Sequence, residues 1–238
     1  MLYTVKNVEK TTLTLTELRK KVPELENYLR YMPEELKTRC TIKTYPPKTI
    51  IHQKDAPLDY FGIVCEGYHR VINEFENGNV FMIERNDPID FVGEVTILAG
   101  KPCTSVTIET TTACTVLYFS RKDFENWIEQ DIHFLRLVSQ KVAYKLYRSS
   151  YNRGNRLFYP PQHLLLLYFL RYIEDCHSNV IRRTREEIHE ETGISVKTLN
   201  RTIRKLKESG LVGITRGKVT LNASQQEKAR EYLKQGMY

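Results

Sequence analysis

The segment Thr184 to Gly210 carries the side chains best suited to bind a polyanion. It reads TREEIHEETGISVKTLNRTIRKLKESG. In its second half Leu199, Ile203 and Leu206 recur at i, i+4 and i+7, which predicts a helix with one buried face. The cations lie largely on the other faces, and Arg and Lys side chains of this kind bind phosphates and guanine edges.

Local signals predict the elements that position these cations. Thr184 and Glu187 match a capping box, in which each side chain binds the other residue's backbone amide. Gly193 suits the left-handed end of a first helix, and Ser195 can cap a second. Two helices joined by such a turn form a helix-turn-helix, whose second helix enters a major groove. A surface helix pair with solvated charges is the alternative.

The residues that follow predict a wing. Leu211 to Leu221 reads as two short β segments around Arg216-Gly217-Lys218. The two cations at its tip are placed to contact phosphate, which sets register without reading sequence. An ordinary soluble hairpin is the alternative.

The charge of the chain is distributed unevenly. The total is +7, from 36 Lys+Arg and 29 Asp+Glu. From Asn152 onward we count 16 Lys+Arg and 9 Asp+Glu, which is +7, and this leaves 20 of each kind before it. A neutral module joined to a basic one indicates that only the second meets a polyanion.

Length and composition predict a globular protein of one large or two ordinary domains, with 238 residues and 41% hydrophobic content. There is no run of about 18 apolar residues to span a bilayer. The start MLYTVKNVEK lacks the apolar core of a signal peptide. We therefore expect a cytoplasmic protein with no membrane partner.

Neither metal chemistry nor catalysis is indicated. The five cysteines are widely spaced and none forms C-x-x-C, which argues against a zinc site and an iron–sulfur cluster. No Gly-rich phosphate loop, metal-binding His spacing or nucleophile elbow is present. We expect no metal site and no enzyme activity.

The N-terminal half has a β-rich pattern. Short runs rich in β-forming residues are separated by turn residues, and Asn77-Gly78 is the strongest hairpin signal. The runs lie at 41–45, 49–51, 60–65, 68–75, 80–83, 105–108 and 114–119. Strands at this spacing predict a small antiparallel barrel or jelly roll.

A candidate ligand pocket lies between two of these runs. Gly93 and Glu94 open a short helix, and the hydroxyl-bearing residues Thr104 and Ser105 follow and lead into a strand. Such a pattern can form a pocket for a polar or anionic ligand.

Together these parts resemble the Crp/Fnr family of bacterial transcription regulators. The resemblance covers roughly residues 40 to 222 and rests on the order of its parts more than on any one motif. Its marks are Gly67, Asn77-Gly78, Gly93-Glu94, Thr112-Ala113-Cys114, Phe124, a long helix and the helix-turn-helix with its wing.

The resemblance implies an α+β fold. An N-terminal antiparallel β-roll (a jelly roll, or double-stranded β-helix) is followed by a long dimerisation helix and a C-terminal winged helix-turn-helix. We place the cyclic-nucleotide-binding-like effector domain, with its N-terminal helices, at 1–122, the dimerisation helix and hinge at 123–152 and the DNA-binding domain at 153–238.

The candidate pocket departs from the family pattern. In members that bind cyclic AMP, an arginine that pairs with the cyclic phosphate aligns with Thr104, and a serine follows, here Ser105. Thr104 supplies no cation, and a charge-assisted bidentate pair is about twice as strong as a neutral hydrogen bond. We therefore expect a degenerate site that does not use cyclic AMP. Gly93 and Glu94 serve either the fold alone or an effector and cofactor of unknown identity.

The connecting helix has a narrow apolar seam. Leu135, Val138, Val142 and Leu146 recur at alternating spacings of three and four, the pattern of a two-stranded coiled coil. Packing on the chain's own β-roll is the alternative, and the resemblance favours a homodimer. Residues 152–155 contain Gly154 and are expected to form a hinge.

Alignment with the family assigns base reading to Val196, Lys197 and Arg201. The remaining polar residues are assigned to phosphate contact or positioning: Thr184, Arg185, Ser195, Thr198, Asn200, Arg204, Arg216 and Lys218. The expected partners are double-stranded DNA with a near-palindromic operator, a second copy of the chain, and RNA polymerase. The alternative function is a ligand- or protein-binding module whose basic C-terminal domain docks on an acidic protein partner.

Overall fold

The chain is divided into two compact units. A computed structural model describes residues 9–10 and 13–235. Its contacts separate Met1–Arg148 from Ser149–Tyr238, close to the boundary that we drew at 152.

The first unit is built mainly from strands. They are β1 (Glu9–Lys10), β2 (Thr41–Tyr45), β3 (Ile50–His52), β4 (Tyr60–Glu66), β5 (His69–Glu74), β6 (Val80–Asn86), β7 (Asp90–Val92), β8 (Thr107–Thr110) and β9 (Cys114–Ser120). Its helical segments are α1 (Leu15–Lys21), a 3₁₀ turn (Pro23–Leu25), α2 (Glu26–Leu29), α3 (Glu34–Arg39), α4 (Glu94–Leu98), α5 (Arg121–Gln130) and most of α6 (Ile132–Phe158).

The strands form two antiparallel sheets, with the orders β1-β2-β9-β4-β7 and β3-β8-β5-β6. The predicted antiparallel β-roll is confirmed. The Asn77-Gly78 signal lies in the turn that joins β5 to β6, where Gly78 has a φ of 80°. Strand β7 was missed, because three residues after Pro88 are too few to show a pattern.

Gly67 is needed where β4 turns into β5. Its φ is 82°, and a Cβ at this position would lie 2.0 Å from the carbonyl oxygen of Ala113. Only glycine allows two backbone segments to approach this closely. This glycine therefore brings the start of β9 against the end of β4.

Aromatic side chains dominate the core of the first unit. Phe61 stacks on Phe124 at a centroid distance of 4.0 Å, and Trp127 stacks on Phe134 at 3.7 Å. Leucines from the N-terminal helices, including Leu18, belong to the same cluster. This core therefore joins the β-roll to α5 and to the first turns of α6.

The connector is two helices, not the single helix predicted from Asp123. The break is at Asp131, whose carboxylate accepts hydrogen bonds from Trp127 Nε1 (3.1 Å) and from the Phe134 backbone amide (3.0 Å). Both bonds stabilise a new helix start, because a carboxylate satisfies amides that lack a partner at a helix N-terminus.

The predicted hinge at 152–155 does not interrupt the helix, since α6 continues to Phe158. A single glycine costs a helix only about 1 kcal/mol, so Gly154 is tolerated. The helix ends just before Pro160, which starts the approach to α7.

Only part of the predicted seam is exposed. Val138 is fully buried in the core of its own unit, so its assignment to a contact with a second chain is wrong. The spacing of three and four residues is shared by a coiled coil and by a helix packed on its own domain. Leu135 and Val142 are half-buried, and Leu146 is 67% exposed.

The second unit contains α7 (Pro161–Cys176), α8 (Arg185–Thr192), α9 (Val196–Glu208), β10 (Gly213–Thr215), β11 (Lys218–Thr220) and α10 (Ala223–Gln235). Its core joins α7, α8, α9, the wing and α10, and it includes Leu165, Phe169, Ile203 and Val219. The predicted winged helix-turn-helix is confirmed. In the part of the chain that the structure describes, no helix has the length and apolar character needed to cross a membrane.

We predict that Asp131→Ala destabilises the first unit by about 2 to 4 kcal/mol, because it removes a helix cap and leaves the buried indole N–H of Trp127 without an acceptor. Trp127 is the only tryptophan of the chain, so its fluorescence during urea unfolding reports on this unit alone. Glu129→Ala, an exposed change on α5, should stay within about 0.5 kcal/mol of wild type. Equal stability of the two variants would contradict this role of Asp131.

Candidate nucleic-acid interface and ligand pocket

The start of α8 is held by the predicted capping box. Thr184 Oγ1 accepts a hydrogen bond from the Glu187 amide (3.1 Å), and the Thr184 amide donates to Glu187 Oε2 (2.7 Å). Burial raises the pKa of Glu187, but these bonds with Thr184 outweigh it, so the pKa is lowered overall. Glu187 therefore stays ionised, with its carboxylate bound to the backbone at the start of α8.

A tight turn joins α8 to α9. Gly193 adopts the left-handed conformation (φ 73°) and its amide donates to the His189 carbonyl at 2.7 Å. Ser195 then caps α9, because its Oγ accepts from the Thr198 amide at 3.3 Å. These bonds occupy the Ser195 hydroxyl and the Thr198 amide, so both residues position α9 whatever else they contact.

Helix α9 separates its apolar and cationic sides completely. Leu199, Thr202, Ile203 and Leu206 are buried. On the opposite arc, Lys197, Asn200, Arg201 and Arg204 are exposed, while Val196 is half-buried at the first turn. Within the described residues no carboxylate forms an ion pair with Lys197, Arg201 or Arg204. Their charges are therefore available to an external anion.

The wing is a hairpin with a two-residue turn. Thr215 pairs with Lys218, and the turn residues Arg216 and Gly217 have φ values of 49° and 76°. Two successive positive φ values are typical of a type I′ turn, whose twist matches that of the strands. Arg216 is exposed at the tip and Lys218 is half-buried beside it.

The wing is also tied to the segment before α8. The Ile181 amide donates to the Val219 carbonyl (2.9 Å), and the Leu221 amide donates to the Asn179 carbonyl (3.0 Å). The wing and the start of the helix-turn-helix are thereby fixed to each other inside one unit. Arg185, on the first turn of α8, is half-buried.

A polar cluster that sequence reasoning missed supports α8. The Tyr168 hydroxyl donates to Glu191 Oε2 (2.6 Å), and Arg183 Nε lies 3.2 Å from Glu191 Oε1. The Arg183 guanidinium also lies over the Tyr172 ring, 5.4 Å from its centroid. The sequence signal for this cluster was the pair Tyr168 and Tyr172, four residues apart on the largely apolar helix α7. The cluster neutralises one of the four glutamates of α8 beside a surface suited to anions.

The candidate pocket residues of the first unit fall into two separate groups. The Thr104 hydroxyl is 3.4 Å from both the amide and the carbonyl oxygen of Val106, and Ser105 is exposed. Gly93, at φ 93°, starts α4 and places Glu94 inside the fold at 3% exposure. Within the described residues no hydrogen bond or ion pair links Glu94 to Thr104 or Ser105.

Glu94 instead faces Lys145 of α6. The Lys145 ammonium lies 2.9 Å from Glu94 Oε1, 3.0 Å from Asp90 Oδ2 and 3.8 Å from Glu84 Oε1. We name these four residues the Lys145 cluster. The sequence analysis did not predict a role for Lys145 or Asp90, because the three acids lie on three different elements and the lysine lies on a fourth.

His69 extends this cluster into the β-roll. The side chain is fully buried, and its Nε2 lies 3.3 Å from Asp90 Oδ2 and 3.4 Å from Asn86 Nδ2. His69 Nδ1 and both carboxylate oxygens of Asp90 have no hydrogen-bond partner within the described part of the chain, so Asp90 Oδ2 meets Lys145 and His69 in close contacts without hydrogen-bond geometry.

Burial and charge act against each other in the Lys145 cluster. Burial raises the pKa of Glu94. It also raises the pKa of Asp90, but the contact with His69 and the charge of Lys145 outweigh it, so the Asp90 pKa is lowered. For Lys145 burial lowers the pKa, but the charges of Glu94, Asp90 and Glu84 outweigh it and raise the pKa. The ammonium therefore stays charged.

Two family models match the chain. The cyclic nucleotide-binding domain model matches residues 42–131, and the model of the Firmicute plasmid replication protein RepL matches residues 161–232. The first match lies within the first unit, and the second covers the helix-turn-helix and wing.

Curated relatives cover most of the chain. The cAMP-activated global transcriptional regulator CRP of Salmonella typhimurium is 26% identical over 182 residues, which cover 74% of this chain and 86% of that protein. The protein of the same name from Haemophilus influenzae is 24% identical over 183 residues, 74% of this chain and 81% of that protein.

Solved structures share the fold. The c-di-GMP responsive global regulator CLP of Xanthomonas campestris has a TM-score of 0.71 at 16% identity and covers 84% of this chain and 99% of its own. A transcriptional regulator of the crp/fnr family from Eubacterium rectale has a TM-score of 0.67 at 16% identity, with 92% and 95% covered.

We predict that Asp90→Asn destabilises the first unit by about 3 to 5 kcal/mol at pH 7, because it removes one partner of a buried ion pair. The folded-state pKa of Asp90 lies below its ordinary value of 3.8. The stabilisation by the carboxylate is therefore present above pH 3.8 and is lost as the pH falls through the folded pKa.

The measurement is urea unfolding followed by Trp127 fluorescence between pH 7 and pH 3, comparing wild type with Asp90→Asn. The difference in unfolding free energy should shrink at the acid end. Asp87→Asn is the matched control, because Asp87 is an exposed aspartate that lies only three residues before Asp90. A difference that stays constant over this range would show that the Asp90 charge does not stabilise the fold.

Proposed function

The chain belongs to the Crp/Fnr family of transcription regulators, and on this premise we propose that it is a sequence-specific DNA-binding regulator that acts as a homodimer in the cytoplasm. One observation carries the proposal: α9 exposes a cationic arc that no carboxylate of the described residues neutralises, next to a wing with Arg216 at its tip. This arc lies in the part of the chain that carries the whole net charge.

In the proposed mechanism each subunit of a two-fold dimer inserts α9 into a major groove. The half-sites of a near-palindromic operator lie about one helical turn apart. Arg201 reads guanine O6 and N7, and Val196 meets a thymine methyl. Lys197 replaces a glutamate of the usual family pattern, so we infer that the operator differs from the common family half-site.

The remaining polar residues of the surface set the register on the phosphate backbone. Arg204, Asn200, Arg185, Arg216 and Lys218 supply donors that are exposed or half-exposed. Thr184, Ser195 and Thr198 act mainly by capping α8 and α9. The backbone N–H groups at the start of these helices can then donate to phosphate. If the protein activates transcription, we infer that it also contacts RNA polymerase.

The pocket of the first unit supports no role for cyclic AMP. Thr104 carries no charge for a cyclic phosphate, and the Glu94 carboxylate is occupied by Lys145. The operator and its position relative to promoters follow from one experiment, in which genomic fragments bound by the purified protein are selected and sequenced. Docking of the basic domain on an acidic protein is the competing function, and it gains if no fragment is selected at low salt.

We predict that Arg201→Ala abolishes sequence preference and largely keeps non-specific binding. The loss of a bidentate guanine contact costs about 1 to 3 kcal/mol of discrimination, or about 5- to 150-fold in relative affinity. The measurement compares the selected fragment with a scrambled duplex over a range of salt.

Lys228→Ala is the matched control, because it removes one exposed cation of the same unit from α10. It should retain the preference of wild type. Equal weakening of Arg201→Ala on both duplexes would show that Arg201 contacts only phosphate, and a wild-type affinity that does not fall with rising salt would contradict DNA binding itself.

For the dimer we predict that Leu146→Asp raises the dissociation constant on the order of 100-fold, because an unpaired carboxylate buried in an interface costs about 3 kcal/mol or more. Leu146 is 67% exposed in one chain, so the monomer should still fold, and the far-UV circular dichroism spectrum should match that of wild type. Sedimentation equilibrium measures the association.

Gln140→Asp is the control, since Gln140 is exposed on another side of α6. It should associate as wild type does. If Leu146→Asp also associates as wild type, the homodimer does not use this face.

A further inference from the structure

The side of α6 that faces the β-roll changes character along its length. Phe134, Val138, Lys141 and Lys145 follow one another at spacings of four, three and four, so they share one side of the helix. The first two are fully buried in the aromatic core. Beyond Val138 the side chains on this line that contact the β-roll are lysines.

Both lysines bind the short segment that contains β7. Lys141 Nζ donates to the Ile89 carbonyl at 2.7 Å. Lys145 Nζ contacts Asp90 and Glu94, at 3.0 Å and 2.9 Å. The position of this part of α6 is therefore set by charge and hydrogen bonds rather than by apolar packing.

The acidic site that receives Lys145 is complete without any residue of α6. Its carboxylates come from β6, β7 and α4, and Asp90 and Glu94 are 2% and 3% exposed. Two carboxylates this deeply buried repel each other and need a cation. Asp90 Oδ1 also lacks a hydrogen-bond partner within the described part of the chain, so the site retains a free acceptor.

The shape of the cation also fits. A primary ammonium has three donors and no acceptor. The Lys145 ammonium donates a hydrogen bond to Glu94 and forms ion pairs with Asp90 at 3.0 Å and with Glu84 at 3.8 Å. The positive charge that these carboxylates need is therefore supplied by α6.

We propose that Lys145 is an internal ligand of the β-roll: its ammonium occupies the acidic site of Glu84, Asp90 and Glu94 and holds α6 in the orientation used for DNA binding, with no small-molecule effector required. This regulation rests on the proposed function as a DNA-binding dimer. Lys145 acts as a positioning residue.

The neighbouring residues explain the link to the dimer. Leu146 and Tyr147 follow Lys145 directly and are 67% and 75% exposed. With Lys145 held on the β-roll, the later turns of α6 stay against the domain, and Leu146 remains exposed. Loss of the ammonium contact releases the later turns of α6 from the β-roll and reduces the fraction of molecules that can pair.

The test uses the full chain with Lys145→Ala and n-propylammonium, which restores the deleted amine as a free molecule. In the first measurement, the Trp127 unfolding midpoint of Lys145→Ala should rise with n-propylammonium and should not rise with n-propanol, which has the same size and no charge. Wild type should respond to neither. This readout does not depend on DNA.

In the second measurement, wild type should bind its selected fragment with no added effector and should be unaffected by cyclic AMP. If α6 is correctly oriented in only a tenth of the Lys145→Ala molecules, their affinity falls about tenfold. Lys145→Arg and added n-propylammonium should each restore most of it. Arg136→Ala, which removes an exposed cation from the same helix, should bind as wild type.

The outcomes separate the two proposals. If wild type selects no DNA, the proposed function fails, while the n-propylammonium shift and the self-association of Lys145→Ala still test the internal ligand. If Lys145→Ala is folded and binds DNA as wild type does, or if n-propylammonium does not stabilise it, the internal ligand is overturned. If Lys145→Ala does not fold, Glu94→Gln combined with Lys145→Met removes both charges of the pair. Wild-type DNA affinity in that folded double variant would equally overturn the proposal.

Discussion

Asp90 and Glu94 place two carboxylates inside the β-roll, and this burial constrains the rest of the first unit. A carboxylate out of water is tolerated where a cation and donors face it. Gly93 makes the burial of Glu94 possible, because its left-handed backbone starts α4 against the carbonyl of Tyr60. Lys145 must then approach from α6, and this brings the middle of the connector onto the domain.

The connector has three different attachments along its length. Asp131 starts the helix, Phe134 and Val138 bury it in the aromatic core, and Lys145 binds the acidic site. The apolar contacts depend on shape and the last contact depends on charge. The first turns of such a helix can stay packed on the domain while its later turns depend on the ion pairs of Lys145.

The second unit meets a different constraint, because it must fold with a large excess of positive charge. It does so by separating functions around α9. The buried side supplies Leu199, Ile203 and Leu206 to the core, and the exposed side carries the cations. The glutamates of α8 are turned to structural use, since Glu187 caps the helix and Glu191 binds Tyr168 and Arg183. On α9 itself, Lys197, Arg201 and Arg204 form no ion pair with a carboxylate of the described residues.

The amino-acid sequence by itself determined the local features of the structure, which depend on residues close together in the chain. The capping box at Thr184, the turn at Gly193, the wing around Arg216 and most strands follow from local geometry and periodicity, and they were predictable for that reason. Predictions failed where one pattern served two structures. The seam through Val138 has a spacing that suits both a coiled coil and a helix packed on its own domain, and Gly154 is compatible with both a hinge and a helix.

Only the tertiary structure decided which charges meet. Glu84, Asp90, Glu94 and Lys145 lie on four elements, and no spacing in the chain connects the lysine to the acids. The same holds for Tyr168, Arg183 and Glu191 under α8. An ion pair depends on distance in space, which is set by the packing of whole elements. The residues of the proposed DNA-binding surface could therefore be predicted from the sequence, whereas the ion pairs of Lys145 with Asp90 and Glu94 became visible only when α6 was placed on the β-roll.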